Sequence, residues 1–377
     1  MSIRRLACLT PLVVVVGVLA SGCGSSSGGS ASSATKPTGS LDGGGKTIVS
    51  FVLAKSFPWV AEEQKAAEAE ATKLGYRLKT IENGFDANEQ NNQIQQYLAT
   101  GQAPAAFFWL PVDPSSQVNP LRQMARVAPV FQIDAQIAPF DKDYVTGYAG
   151  IDGVFMGRAN GTFASRLRDQ DRKAGRKLHS PAGNLLYLQP PAGFRFGELG
   201  LQGFRDATKD EPFNVLRVEH SGIGAEPGYE TASQLIARYK GQGIDYIFAT
   251  NVDTANGVVK ALKENGLQPG KDVKVIAGNC AGDLSAMIGG QIANCGVSSG
   301  AANGKLVVDM IAQYLASGKK IKPGAKQLPA TREAPPVKVE PPTRSTYIPY
   351  PMTTGKGILS DCMIWGLPCV QAAGATA

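Results

Sequence analysis

Histidine is nearly missing from this chain: 377 residues hold only His179 and His220. None of the six cysteines forms a CxxC pair and no HExxH occurs, so the usual zinc ligand sets are missing too. There is no GxGxxG turn and no GxxxxGK[ST] loop, and neither histidine is expected near the strand ends discussed below. These gaps point away from hydrolysis, nucleotide chemistry and metal catalysis, and the expectation is a protein that is not an enzyme and needs no cofactor. Charged residues make up only 18%, with a net charge of +7. The one dense basic run, RLRDQDRKAGRK at 166–177, is interrupted by Asp169 and Asp171 and has no interleaved aromatics. It reads as a solvated helix face rather than a nucleic-acid surface. No apolar run approaches the roughly 20 residues that a membrane-spanning helix needs.

What the chain does have begins at its N-terminus. Arg4 and Arg5 precede a largely apolar stretch from Leu9 to Ala20, about a dozen residues, which is the pattern of an export signal over 1–22. Ala20, Ser21 and Gly22 then lead into Cys23, a sequence that resembles the lipobox of bacterial lipoproteins. The resemblance implies diacylation of the Cys23 sulfur, against the alternative of an ordinary signal cleaved nearby. Residues 23–45 are rich in glycine and serine and are expected to act as a flexible tether. The implied location is extracytoplasmic, lipid-anchored to a bacterial cell membrane. Four cysteines remain beyond the signal and anchor: Cys280, Cys295, Cys362 and Cys369. An even number in an exported chain suggests disulfides, with three connectivities open and local pairing expected.

About 330 residues follow the tether, enough for two lobes. Strand and helix signals alternate through both halves. KTIVSFVLA (46–54), RLKTIE and AAFFWLP read as strands; AEEQKAAEAEATKLGY (61–76) and ANEQNNQIQQYLATG read as helices. PLRQMARVAPVFQID repeats the unit, and 184–279 run through the same order again. The fold class is therefore α/β, two doubly wound parallel-sheet lobes joined by a hinge. Expected limits are 46–153 for lobe 1, 154–296 for lobe 2 and 297–330 for a return to lobe 1. A proline-rich strap and disulfide loop occupy 331–377, where Trp365 is read either as packing or as a partner contact.

Ligands of such sheets sit outside the carboxyl ends of the strands. The residues there include Phe57, Trp59, Asp86, Asp113, Asp134, Asp152, Asn251, Asp253 and Asn279. Carboxylates and amides supply the acceptors and donors that hydroxyls need, and an aromatic ring suits a C–H face. For any single Asp or Asn in this set, helix N-capping is the competing role, and for Trp59 it is core packing.

Several segments together resemble the periplasmic sugar-binding proteins of the ribose/galactose type. They are FPW at 57–59, KLGY at 73–76, FDANEQNNQIQQYLATG at 85–101, PVDPSS at 111–116, APVFQID at 128–134, YIFATNVDTANGVVKALKENG at 246–266 and VIAGN at 275–279. The resemblance spans about 46–320 and implies a type I solute-binding lipoprotein of an ABC transporter. Such a protein captures a small sugar or polyol, acts as a monomer and hands its ligand to a membrane permease. The alternatives are a ligand-sensing module for a membrane receptor and uptake of a non-sugar solute. By the same resemblance, Trp59 is the stacking ring, Asp113, Asp134 and Asn251 are polar contacts, and Asp152 lies at the first crossing between lobes. The family's arginine after the fourth-strand aspartate is Ala135 here, and its second-lobe aspartate is Asn279. Its late glutamine is not evident in ANCGVSSG, and its second-lobe arginine is sought at Arg195 or Glu198. The departures leave the ligand a small sugar or polyol without singling out ribose.

Overall fold

The computed structural model describes residues 37–113, 116–134, 144–192 and 194–319, with 345–347, 352–357, 363–364 and 367–368 beyond them. The expected anchor Cys23, the pair Cys362 and Cys369, and Trp365 lie outside the described residues.

The first sheet is built by β1 (Thr47–Leu53), β2 (Arg77–Asn83), β3 (Ala106–Trp109), β4 (Val130–Ile133) and β5 (Gly147–Gly150). Between the first four run α1 (Pro58–Lys73), α2 (Ala87–Ala99) and α3 (Val118–Val127). The second sheet is built by β6 (Asn184–Gln189), β7 (Asn214–His220), β8 (Tyr246–Asn251), β9 (Lys274–Asn279) and β10 (Cys295–Gly296). Its helices are α4 (Gly153–Lys173), α5 (Arg195–Thr208), α6 (Ala225–Tyr239), α7 (Val252–Glu264) and the single turn α8 (Ser285–Ile288). The chain then returns through α9 (Gly300–Ser317), which packs on α1 and on β4 and β5. Two C-terminal pieces each extend a different sheet: β11 (Ser345–Tyr347) pairs with β5, and β12 (Met352–Thr353) pairs antiparallel with β10. The strand orders are β11-β5-β4-β3-β1-β2 and β12-β10-β9-β8-β6-β7. A short hairpin of β13 (Met363–Ile364) and β14 (Leu367–Pro368) stands apart from both sheets.

Both sheets follow one winding scheme, which places their switch points between β1 and β3 and between β6 and β8. The sequence explains which strands are central. Ile48 to Leu53 of β1 are buried on both faces, as helices on either side of a parallel sheet require, whereas the edge strands β2 and β7 are partly exposed. Helix α1 starts at Pro58, three residues before the expected start, because proline's fixed φ suits a first helical turn. Strand β5, GYAG, is a finding the pattern did not announce: two glycines and four residues give no β signal.

The basic run at 166–177 differs from its expected solvated face. Arg168 is fully buried on α4, donating to the carbonyls of Ala182 and Glu211 at 2.9 and 2.8 Å, with its guanidinium 4.3 Å from the Phe213 ring centroid. Asp171, also buried, accepts from Arg176 and from the Tyr246 hydroxyl. The run is thus partly a staple under lobe 2, its buried charges held by carbonyls, a carboxylate and a ring. The return helix meets α1 just as closely: a Cβ on Gly304 would lie 2.0 Å from the Glu63 carbonyl oxygen. In lobe 2, Cys280 and Cys295 form the expected local disulfide across a separation of 15 residues.

Candidate functional site

Among the described residues, the carboxyl ends of both sheets open onto one cleft with two chambers. The inner one, about 100 Å³, is lined from lobe 1 by Phe57, Trp59 and Asp134, and from lobe 2 by Thr250, Asn251 and Asn279, with Ser298 of the return segment between them. The outer one, about 630 Å³, carries Asp113 on the lobe 1 side and Asp253 on the lobe 2 side, with Phe57, Phe85, Phe194 and Ile223 around it. Seven of the residues expected from sequence therefore converge: Phe57, Trp59, Asp113, Asp134, Asn251, Asp253 and Asn279.

Asp134 follows β4 in a left-handed conformation, φ 56°, which Asp tolerates better than most residues. The turn is held from both sides: its N–H donates to the Ala149 carbonyl at 3.2 Å, and its own carbonyl accepts from the Tyr148 hydroxyl at 2.6 Å. Its Oδ1 is shut off from solvent and has no hydrogen-bond partner. Burial pushes the carboxyl up to about 7. Behind it, Glu63 of α1 is fully buried with neither oxygen paired, and burial together with the nearby Asp134 charge drives its carboxyl well above the usual range.

Lobe 2 answers with amides. Asn251 caps α7, its Oδ1 accepting from the Thr254 N–H at 2.7 Å; Asn279 Oδ1 accepts from the Ala281 N–H at 3.0 Å. Only an amide oxygen can accept from a backbone N–H, so these bonds fix both flips and leave the NH₂ ends as donors. Trp59 is buried in the first turn of α1 and donates its indole N–H to Ser298 Oγ at 3.1 Å, so one ring serves as cleft wall and as tie to the return segment. Phe57 and Phe85 meet edge to face, 6.1 Å between centroids.

Two expected residues are placed elsewhere, and the side-chain position of a third is not described. Asp86 caps α2, accepting from the Asn88 and Glu89 N–H groups, and Asp152 caps α4, accepting from Phe155; neither lines either chamber. The Arg195 side chain lies outside the described residues, while its neighbours Phe194 and Phe196 line the inner chamber. Glu198, the other candidate for that position, faces a separate surface depression with Arg205 and His220. His220 is a correction. It lies at the end of β7, its Nδ1–H donating to the Pro190 carbonyl at 2.7 Å and its Nε2 accepting from Gln189 Nε2 at 3.1 Å. A histidine therefore does touch the strand-end set, as a brace for Pro190 on the chamber wall. Ser298, Thr250, Ile151 and Ile223 had not been singled out. Ile151 and Ser298 lie on segments that cross between lobes.

These features define a two-lobed binding protein of the type I periplasmic class. Residues 48–320 match the periplasmic binding protein domain family, and the chain belongs to it. The galactofuranose-binding protein YtfQ of Escherichia coli (strain K12) is 27% identical over 219 residues, 57% of this chain; the chain spans 65% of that relative's length. The ribose import binding protein RbsB of Salmonella typhimurium is 24% identical over 222 residues, 58% of this chain and 69% of the relative. The periplasmic binding component of the arabinose ABC transporter from Shewanella sp. ANA-3, solved with α- and β-L-arabinofuranose, superposes with a TM-score of 0.66. It is 20% identical, the match covering 84% of this chain and 94% of that one.

Proposed function

We propose that this protein is a lipid-anchored, extracytoplasmic solute-binding protein that captures a small sugar or polyol between its lobes and delivers it to an ABC transporter permease. One observation carries the reading: an acceptor on one lobe, Asp134, shares a small chamber with two amide donors on the other, Asn251 and Asn279, with the Trp59 ring among them. A hydroxyl is both donor and acceptor, so a ring bearing several of them satisfies both lobes at once, and only when they close. Relatives named for galactofuranose and ribose support the sugar class. Cys23 is the proposed acylation site, lobe limits near residues 153 and 296 the proposed hinge, and the working form a monomer. A thermal-shift screen of pentoses, hexoses, polyols and amino acids tests this, because a ligand of the folded state raises the melting temperature by mass action. A rise with a sugar or polyol is expected. A rise with amino acids alone would overturn the reading.

A further inference from the structure

The cleft extends well beyond its inner chamber. Its outer chamber alone, about 630 Å³, falls within the roughly 300–1,000 Å³ usual for drug-sized ligands, while the inner one, about 100 Å³, lies well below that range. The two also differ in kind. Asp134, Asn251 and Asn279 belong to the inner chamber only and Asp113 and Asp253 to the outer one only, while Phe85 and Ile223, at 42% and 37% among the few large apolar side chains left exposed, line both from opposite lobes. Apolar surface gathered at a ligand mouth implies something apolar to cover it. Phe57 and Phe85, at right angles to each other, and Phe194 across the cleft supply faces and edges for a flat ring.

The polar groups of the outer chamber narrow the ring further. Asp113 and Asp253 line it, one from each lobe, and an ionised carboxylate only accepts hydrogen bonds. Among the described side chains, no lysine, arginine or histidine lines either chamber. Among the described side chains none balances a phosphate, and the carboxylates repel one.

Resting on the sugar reading of the inner chamber, we propose that the ligand is a glycoside whose sugar fills the inner chamber and whose anomeric substituent, a flat heterocycle with N–H donors, fills the outer one: a nucleoside without phosphate. Its ring stacks among Phe57, Phe85 and Phe194, and its amine hydrogens meet Asp113 or Asp253. No bond is made or broken.

The test is calorimetric titration of the detergent-solubilised full-length protein with adenosine, guanosine, cytidine, ribose and adenosine 5′-monophosphate. At least one of the three nucleosides is expected to bind ten times more tightly than ribose, and adenosine more tightly than its monophosphate. In Phe85→Ala, whose ring is already partly in solvent, the preference for nucleoside over ribose should shrink about tenfold with the melting temperature held. A free sugar that binds as tightly as every nucleoside would overturn the proposal and leave the sugar reading standing. Binding of amino acids, with no response to sugars or nucleosides, would overturn both.

Discussion

At the inner chamber lobe 1 presents groups held away from their preferred states, and lobe 2 presents amides already bonded to backbone. On lobe 1, Asp134 and Phe85 both adopt left-handed φ, 56° and 65°, and the Asp134 carboxyl, with Glu63 behind it, is buried without adequate partners. A non-glycine residue in that region costs on the order of 1–3 kcal/mol, and it persists only where surrounding structure dictates it. On lobe 2, Asn251 and Asn279 are bonded to backbone at one end, Pro190 is braced by His220, and a disulfide joins the residues after β9 to β10. The contrast teaches that the two halves of one fold have divided the work. At the inner chamber lobe 2 is a bonded template, and lobe 1 keeps an acceptor without a partner.

The largest effect is expected where the lobes share a residue. Trp59→Ala removes a buried ring and its bond to Ser298, and should cost about 3–5 kcal/mol of stability in denaturant titration as well as ligand affinity. A full loss of affinity with unchanged stability would make Trp59 a cleft wall alone and break its double assignment. Next, replacing both Cys280 and Cys295 by serine should cost about 3 kcal/mol, from the entropy of a 15-residue loop, with ligand affinity in the folded protein kept within a few-fold. A large affinity change at intact stability would show that the disulfide shapes the site, and the template description of lobe 2 would need revision.

Asp134→Asn tests lobe 1. The folded carboxyl, at about 7, sits above the unfolded value near 4, so between those values the folded state binds the extra proton. That contribution favours folding at the acid end of the window and is lost as pH rises through 7. The variant should therefore flatten the decline of stability from about pH 4 to 7, while weakening ligand binding roughly 10- to 100-fold, the usual value of a hydrogen bond to a charged group. An unaltered pH slope would mean that Asp134 already has a partner in the free protein. The smallest effects concern caps. Asn251→Ala and Asp152→Ala should each cost about 1 kcal/mol of stability, but only the first should also weaken binding, because Asp152 lines neither chamber. Equal affinities in the two variants would erase that distinction.

Much of this was written along the chain. The βα alternation gave both lobes, because a strand buried on both faces must be apolar throughout, as Ile48–Leu53 nearly is, and such runs are visible without coordinates. Strand ends followed from the strands, so Phe57, Trp59, Asp134, Asn251 and Asn279 could be named in advance. Local cysteine pairing was legible too, since Cys280 and Cys295 bracket a single turn of helix between neighbouring strands. Asp86 and Asp152 show where that logic overreaches: the end of every strand offers a capping residue, and the sequence does not say which caps also face a ligand.

What the sequence alone determined is the order of elements and the set of chemical groups brought to the carboxyl ends, because both depend on neighbours a few residues apart. Tertiary structure decided the rest. Arg168 looked solvated and is buried because Ala182, Glu211 and Phe213, distant in sequence, close over it. Glu63 sits in a charge-rich helix segment, AEEQKAAEAEA, yet it is buried where the return helix packs at Gly304. Ser298 reaches the site only because the chain passes back between the lobes, 239 residues after Trp59. Burial, and with it the pKa of Asp134 and the division of the cleft into two chambers, is a property of surfaces brought together from far along the chain, and no local pattern encodes it.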